Sequence, residues 1–315
     1  MSSVAVLLCF VALCICLNAD IVKQRELLRM PDAIDMTNTS IIRVNPFAGP
    51  DVFDQFVVDI WRLGDVKLQP VQWNVSEWTG LAVPEGTHGE FQLGLSPGVT
   101  GSSAVQYFNG TFGAHLNTIT NPIQPNQSLA TITIEYNWSP ETRECPWANA
   151  SHLELSVMYQ APAAARQGVA VYSSWSLGLL HAATRKFVWF ETALFDLDRP
   201  LGGDVVWLDS ISGNAIVHSV LNGQRSLFHT LLPDSAVSVS APFSGLKLFH
   251  FTVSGDNIRA AMMAANSKFA GLNLSTVAAE WQLVHTNVEV EGTALGQCGH
   301  SLRLMNISRV FNDDE

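Results

Sequence analysis

The sequence predicts an all-β protein made of two packed antiparallel sheets with one helix. Of the 315 residues, 47% are hydrophobic and only 14% are charged, which is not the composition of a disordered chain. Runs rich in Val, Ile, Phe, Trp and Thr recur along the chain, and Pro, Gly, Asn and Ser separate them at short intervals. Short strands at this spacing are typical of a β-sandwich.

The predicted strands cover most of the chain after residue 50. So many short strands imply two sheets packed face to face. The candidates are Val52–Trp61, Ser103–Leu116, Leu129–Trp138, His152–Gln160, Gly168–His181, Phe187–Asp196, Asp204–Asp209, Asn214–Leu221, Gln224–Leu231, Leu246–Val253, Trp281–Glu291 and Ser301–Phe311.

One segment has helical periodicity instead. Ile258, Ala261 and Ala265 recur on one face of Asn257–Phe269, and Asp256 is a candidate N-cap. We expect this helix to pack on a sheet.

Three regions are predicted along the chain. Residues 1–19 have the pattern of a secretory signal peptide: Val4 to Leu17 is apolar, and Leu17-Asn18-Ala19 resembles a cleavage site. Residues 20–50 are expected to form an N-terminal extension, helical from Asp20 to Met30 and broken by prolines. Residues 51–315 are expected to form the β-sandwich domain. No later stretch reaches 18 uncharged apolar residues, so we expect a secreted, extracellular protein with no transmembrane segment.

Asn-X-Ser/Thr sequons are frequent after the predicted signal peptide. They predict a glycoprotein that passes through a secretory pathway, with each modified asparagine at the surface. The predicted glycosylation sites are Asn38, Asn74, Asn109, Asn126, Asn137, Asn149, Asn273 and Asn306.

Cysteine usage is consistent with an oxidising compartment. Cys145 and Cys298 are the two cysteines that remain after the predicted signal peptide. They predict one long-range disulfide, and the alternative is a pair of buried free thiols.

Charge and motifs exclude several classes of function. The formal net charge is −11, which is unsuited to a phosphate backbone, so we expect no nucleic-acid partner. The nine histidines form no metal-binding spacing, and neither a phosphate loop nor a dinucleotide fingerprint is present. We therefore expect neither a metal nor another cofactor.

The strand Phe187–Asp196 carries the first candidate site residue. Period-two alternation puts Glu191 on the same face as Trp189 and Phe195. A carboxylate among aromatic rings has a raised pKa, and ring faces are good platforms for sugars. The alternative is a structural glutamate satisfied by a neighbouring donor.

The strand Trp281–Glu291 supplies the remaining candidates. Its valines share one face, which is expected to be core. The other face is either a polar cleft or an ordinary solvated surface. Its residues are Trp281, His285, Asn287, Glu289 and Glu291.

One strand and the turn after it resemble a motif of a known family. They read Phe190-Glu191-Thr-Ala-Leu-Phe195 and then Pro200-Leu-Gly-Gly203. The motif they resemble is the Tyr-Glu-X-Met-Ile-Trp-Leu…Pro-Ile-Gly strand of glycoside hydrolase family twelve. The resemblance implies a concanavalin A-like jelly-roll and a retaining mechanism with two carboxyls. It implies that Glu191 is the nucleophile and that Glu289 or Glu291 is the acid/base. The family's supporting aspartate would fall near Gly178 and is absent.

Three functional classes remain open. The first is a secreted glycan-directed sandwich protein, with a retaining β-glycan hydrolase as its catalytic form. Its expected substrate-binding residues are Trp189, Trp281, His285 and Asn287. The second is a lectin-like module that binds glycans without cleaving them. The third is a structural or cell-surface glycoprotein with a glycoprotein partner. The sequence predicts no oligomeric state.

Overall fold

A computed structural model describes residues 23–34, 41–44, 52–63, 69–70, 92–94, 103–108, 110–124, 129–149, 151–165, 171–197, 201–210, 212–222, 226–241, 243, 245–293 and 297–311. The predicted signal peptide and the sequons at Asn38, Asn74, Asn109 and Asn126 lie outside these residues.

Two sheets make up the fold, as the strand pattern predicts. Among the described residues, sheet A has nine strands and sheet B has eight. Sheet A contains β1 (Lys23–Arg29), β4 (Gln69–Pro70), β5 (Gln92–Gly94), β6 (Ala104–Phe108), β7 (Thr111–Asn117), β9 (His152–Ala165), β14 (Thr230–Leu231), β15 (Lys247–Ser254) and β17 (Gln297–Phe311). Sheet B contains β2 (Ile42–Val44), β3 (Phe56–Trp61), β8 (Leu129–Asn137), β10 (Val171–His181), β11 (Phe187–Asp196), β12 (Val205–Leu208), β13 (Ala215–Val220) and β16 (Trp281–Thr293).

Sheet B determines where the polar candidates lie. Its strand order is β12-β13-β11-β10-β16-β8-β3-β2. The pairs are antiparallel except β11 with β13 and β2 with β3, which are parallel. The strands Phe187–Asp196 and Trp281–Glu291 are therefore separated by β10 alone.

The core lies between the two sheets. Fully buried side chains of sheet B, such as Ile134, Trp175 and Val288, face buried residues of sheet A such as Phe251 and Ile307. Trp175 meets Phe251 edge to face at 5.8 Å between ring centroids. The two-sheet all-β prediction is confirmed.

The helix α1 (Gly255–Lys268) packs against β12, β13 and β15. The predicted face is correct, because Ile258, Ala261 and Ala265 are buried. The predicted cap is wrong. Ser254 Oγ, not Asp256, accepts a hydrogen bond from the Asn257 backbone N–H. The Asn257 side-chain oxygen in turn accepts a hydrogen bond from the Ser254 backbone N–H, which completes a capping box.

The predicted helix from Asp20 to Met30 is wrong. Within that range Lys23–Arg29 forms β1, which pairs antiparallel with β17. The pairing of β1 with the long strand β17 satisfies the backbone groups of this segment and overrides its local helical pattern.

The predicted disulfide between Cys145 and Cys298 is also wrong, because both cysteines are free. Cys145 interacts electrostatically with Arg309 near the end of β17, whereas Cys298 lies at the start of that strand. The rise along the strand separates these points by roughly 30 Å, and a disulfide needs Cα atoms within about 7 Å.

Candidate functional site

A cleft of about 520 Å³ lies on the face of sheet B that points away from sheet A. Alternate residues of β3, β8, β10, β11 and β16 line it, because successive side chains of a strand point to opposite faces. Its aromatic lining is Trp61, Tyr172, Trp189 and Trp207, and its acidic lining is Glu135, Glu191, Asp209, Glu289 and Glu291.

The cleft brings together most of the residues singled out in the sequence. Trp189 and Glu191 of β11 lie in it together with His285, Asn287, Glu289 and Glu291 of β16. The roles suggested for them remain proposals.

Trp281 does not belong to this group. The register between β10 and β16 shifts between His285 and Leu283, so a bulge turns the start of β16 over and sends Trp281 to the opposite face. Trp281 is 0% exposed, and its indole N–H donates to the Ser275 carbonyl at 3.0 Å. The expectation that Trp281 binds sugar is wrong.

A second bulge, on β11, changes which of its residues share a face. Ala193 pairs with Ser174, but Phe195 pairs with Ser173, and Phe195 is buried in the core. Glu191 therefore shares its face with Trp189 and not with Phe195.

Glu191 and Glu289 lie on opposite sides of β10. Ser176 is the register partner of Glu191, and Ser174 is the partner of Glu289. Since Ser174 and Ser176 are two residues apart on the same face, the two glutamates are diagonal neighbours across one intervening strand.

Glu289 is set up to hold a proton. Burial raises its pKa, the nearby charge of Glu191 also raises it, and a hydrogen bond from Ser174 lowers it; the resulting pKa is about 8. Ser174 Oγ donates to Glu289 Oε1 at 2.7 Å. Glu289 is thus predominantly protonated at neutral pH and responds to the charge of Glu191.

Glu291 has a different environment. Its register partner is Tyr172. Burial raises its pKa and the charge of Arg62 lowers it, which leaves the pKa at about 7. Its Oε2 atom is buried with no hydrogen-bond partner among the described residues. Of the two acid/base candidates, Glu289 is the one coupled to Glu191.

Glu191 has a histidine neighbour that the sequence did not indicate. The parallel pairing of β11 with β13 places His218 beside it, with Nδ1 at 3.3 Å from Glu191 Oε2. The His218 ring packs against Trp207 at 5.1 Å between centroids. A histidine on a separate parallel strand gives no sequence signal of this contact.

A second polar group occupies the β3–β8 side of the cleft. Arg43 Nε donates to Asp59 Oδ1 at 2.6 Å, and Arg43 also contacts Glu135. Burial and the charge of Glu135 raise the pKa of Asp59 to about 6. The alternation of Thr131, Thr133 and Glu135 along β8 was the available signal for this polar face.

Gly178 allows three rings to meet over the sheet. A Cβ atom there would lie 2.8 Å from both His285 Cβ and Phe187 Cζ. Trp189 packs edge to face on Phe187 at 4.7 Å and on His285 at 5.1 Å between centroids.

We expect Gly178→Ala to destabilise the protein by about 1–3 kcal/mol, because the added methyl overpacks this cluster. The measurement is urea unfolding followed by tryptophan fluorescence. Gly255→Ala is the matched control, since its Cβ would make an ordinary 3.4 Å contact with Ala278. Equal midpoints for the two variants would contradict the packing role.

We expect stability to fall as pH rises from about 6.5 to 8, with Glu289 as a main cause. The pKa of Glu289 is raised from 4.5 to about 8, so the unfolded chain loses this proton first. The contribution of this protonated carboxyl to stability is fully present below pH 4.5. It decreases as pH rises and is lost once pH exceeds about 8. The buried His229 and His285, with pKa values lowered from 6.5 to about 4, act in the opposite direction only below pH 6.5.

The measurement for this prediction is thermal unfolding at pH 6.5 and pH 8. Glu289→Gln, which carries no charge, should lose fewer degrees than the wild type between these values. A smaller slope should remain, because the raised pKa values of Glu291 and His250 act in the same direction. Glu141→Gln changes an exposed residue and should keep the full wild-type slope. A Glu289→Gln slope equal to that of the wild type would contradict the burial of a protonated carboxyl.

The described part of the chain contains no group of three or more His, Cys, Asp or Glu residues arranged to hold a metal ion. Within the same residues, no helix has the length and apolar character needed to cross a membrane.

The described sequons differ in accessibility. Asn149 and Asn273 are exposed outside regular strands. Asn306 is half-buried on β17, where its Nδ2 donates to Glu26 at 3.0 Å. Asn137 ends β8 beside the cleft, and both polar atoms of its side chain have partners there.

Fold and site together define a two-sheet β-sandwich with a cleft lined by carboxylates and aromatic rings. No protein-family model matches the chain, and no curated protein matches it.

Solved structures of glycoside hydrolases are similar to the chain at low identity. A family 11 xylanase from Neocallimastix patriciarum matches 82% of this chain and 93% of its own, with 10% identity and a TM-score of 0.37. A native family 12 xyloglucanase from Bacillus licheniformis matches 76% of this chain and 98% of its own, with 9% identity and a TM-score of 0.36. Family 12, which the sequence resembles, is thus among the matches.

Proposed function

We propose that the cleft binds a β-linked glycan and hydrolyses it with retention, with Glu191 as nucleophile and Glu289 as acid/base. The observation that carries the proposal is the placement of these two carboxyls on one face of sheet B, on either side of β10. Burial and the nearby charge of Glu191 raise the pKa of Glu289 to about 8, so Glu289 can hold the proton that an acid/base donates. A retaining glycosidase requires this division of roles.

In the first step, Glu289 donates its proton to the glycosidic oxygen as that bond breaks. The Glu191 carboxylate attacks the anomeric carbon and forms a glycosyl ester. Esterification removes the charge of Glu191, so the pKa of Glu289 falls and Glu289 becomes a better base. In the second step, Glu289 takes a proton from water, the water oxygen attacks the anomeric carbon, and Glu191 leaves as a carboxylate.

Aromatic side chains supply surfaces for sugar rings. Trp61, Trp189 and Trp207 line the cleft on both sides of the carboxyl pair, and their faces suit the CH groups of a sugar. Asn287 is the register partner of Ser176, which is the partner of Glu191. In this proposal, Asn287 and Ser176 contact sugar hydroxyls next to the nucleophile.

One observation favours a second candidate, a lectin-like module that binds glycans without hydrolysis. The family's supporting aspartate would fall near Gly178, where a side chain would lie 2.8 Å from His285 and Phe187. The side chains of Phe187 and His285 therefore leave no room for a carboxyl at this place. The lectin reading retains the aromatic cleft and needs no support for Glu191.

We further propose that the protein is a secreted glycoprotein. The apolar segment Val4 to Leu17 and the sequons support this proposal, and Asn149 and Asn273 are exposed enough to carry glycans. The partner is a carbohydrate or a glycoprotein.

The test of function is reducing-sugar release from soluble β-glucans and xyloglucan by the protein secreted from eukaryotic cells. Release that disappears in Glu191→Gln would support the hydrolase. If the folded wild type releases nothing but binds glycans on an array, the lectin reading replaces it. If it neither cleaves nor binds glycans, both readings fail, and a structural glycoprotein remains.

A further inference from the structure

A hydrogen-bonded chain of side chains runs along the β8 side of the cleft and ends at His285. Arg43 contacts the Glu135 carboxylate. Asn137 Nδ2 donates to Glu135 Oε1 at 3.0 Å. The other side-chain atom, Asn137 Oδ1, lies 2.8 Å from His285 Nδ1.

The donors and acceptors in this chain can be assigned in order. Burial raises the pKa of Glu135, but the Arg43 guanidinium and the Asn137 amide both favour its charged form. A carboxylate only accepts hydrogen bonds, so Asn137 directs its NH₂ group to Glu135. This orientation leaves its carbonyl oxygen for His285, and a carbonyl also only accepts. His285 Nδ1 therefore carries the hydrogen, and because burial lowers the His285 pKa to about 4, Nε2 is unprotonated at neutral pH.

The Nε2 atom lies on the other side of the ring, away from Asn137. His285 is only 9% exposed, and no described residue bonds Nε2. Two neighbouring acceptors on β16, Asn287 Oδ1 and Glu291 Oε2, are likewise buried and unpaired within the described residues. An unpaired buried acceptor costs free energy until a donor reaches it.

We propose that Asn137 is a positioning residue that fixes His285 in the Nδ1–H tautomer, so that Nε2 accepts a hydrogen bond from a ligand hydroxyl. The cleft floor then presents acceptors at His285, Asn287 and Glu291, and it selects ligands rich in donors. The tautomer is independent of hydrolysis, whereas the hydroxyl ligand rests on the proposed glycan function.

The same geometry gives Asn137 a role other than glycan attachment, although it lies in a sequon. Its Nδ2 atom is used within the cleft, so we expect Asn137 to be unmodified. Asn306 is the matched control, because it is also a half-buried strand asparagine in a sequon but bonds Glu26 and Ser308 far from β8.

The experiment is ¹⁵N NMR of the full-length secreted protein labelled at histidine, with the His285 signals assigned from His285→Gln. Protonated and unprotonated ring nitrogens have well-separated shifts, so the spectrum identifies the tautomer. The wild type and Asn306→Asp should both show Nδ1–H. Glu135→Gln offers a donor, allows Asn137 to flip, and should shift His285 toward Nε2–H.

Asn137→Asp is the second variant, and a carboxylate there should favour a doubly protonated His285 ring. Nε2–H in the wild type would overturn the proposal, as would an unchanged spectrum in both Glu135→Gln and Asn137→Asp. A glycan found on Asn137 by peptide mass spectrometry would also overturn it.

Ligand contact is tested by titrating cellotetraose and a xyloglucan oligosaccharide into Glu191→Gln. Binding should move the His285 Nε2 resonance. Binding that leaves it in place would contradict the acceptor role. No binding by either sugar, with the Nδ1–H tautomer intact, would count against the proposed function and leave the role of Asn137 standing.

Discussion

Glu191→Gln should lose at least about 10³-fold in glycan hydrolysis, because the amide cannot form the glycosyl ester on which the retaining mechanism depends. Glycan affinity should remain within a few-fold of the wild type, since the substituted side chain keeps its size and its place beside His218. The measurement pairs initial rates of reducing-sugar release with calorimetric binding of the same oligosaccharide.

The control for this variant is Glu141→Gln, which changes an exposed residue outside the cleft lining and should retain full activity. A Glu191→Gln enzyme that remains active would remove Glu191 from the mechanism. Equal loss of binding and hydrolysis would instead assign Glu191 to ligand binding.

Glu289→Gln should lower kcat/KM on natural glycans by about 10²–10⁴-fold, because the leaving oxygen is no longer protonated. The loss should be much smaller with a dinitrophenyl glycoside in the presence of azide. Such a leaving group needs no proton, and azide attacks the ester without a general base. The measurement compares kcat/KM for the two substrate types.

Glu291→Gln is the matched comparison, because Glu291 lies on the same face two residues along β16 and also has a raised pKa. The decrease in kcat/KM of Glu291→Gln should be the same for both substrate types, whatever the leaving group. If Glu291→Gln shows the leaving-group dependence and Glu289→Gln does not, the acid/base assignment is reversed.

Regular alternation made much of the fold predictable. Phe187–Asp196 was predicted with the bounds that β11 has, and the buried face of α1 followed from its spacing. Both elements bury an apolar face against the body of the protein, so local pattern and tertiary packing agree.

Long-range pairing was not predictable in the same way. Residues Lys23–Arg29 form a strand because β17 is beside them, and no local pattern shows this neighbour. Trp281 and Phe195 left their expected faces because a single extra residue at a bulge reverses the alternation that follows.

The candidate site was predictable strand by strand but not as an assembly. Glu191 stood out as a carboxylate in an otherwise apolar strand, whereas Glu289 and Glu291 stood out on the polar face of an alternating strand. The choice of Glu289 over Glu291 required the register across β10. The chain from Glu135 through Asn137 to His285 joins two strands distant in sequence, and its asparagine also lies in a sequon.

The most direct test of the central claim is covalent trapping with activated 2-deoxy-2-fluoro-β-glycosyl fluorides of glucose, cellobiose and xylobiose, followed by mass spectrometry of the intact and digested protein. We expect one glycosyl adduct, on Glu191, formed by the wild type and absent from Glu191→Gln. Glycan hydrolysis without any adduct, or an adduct on Glu289 or Glu291, would contradict it.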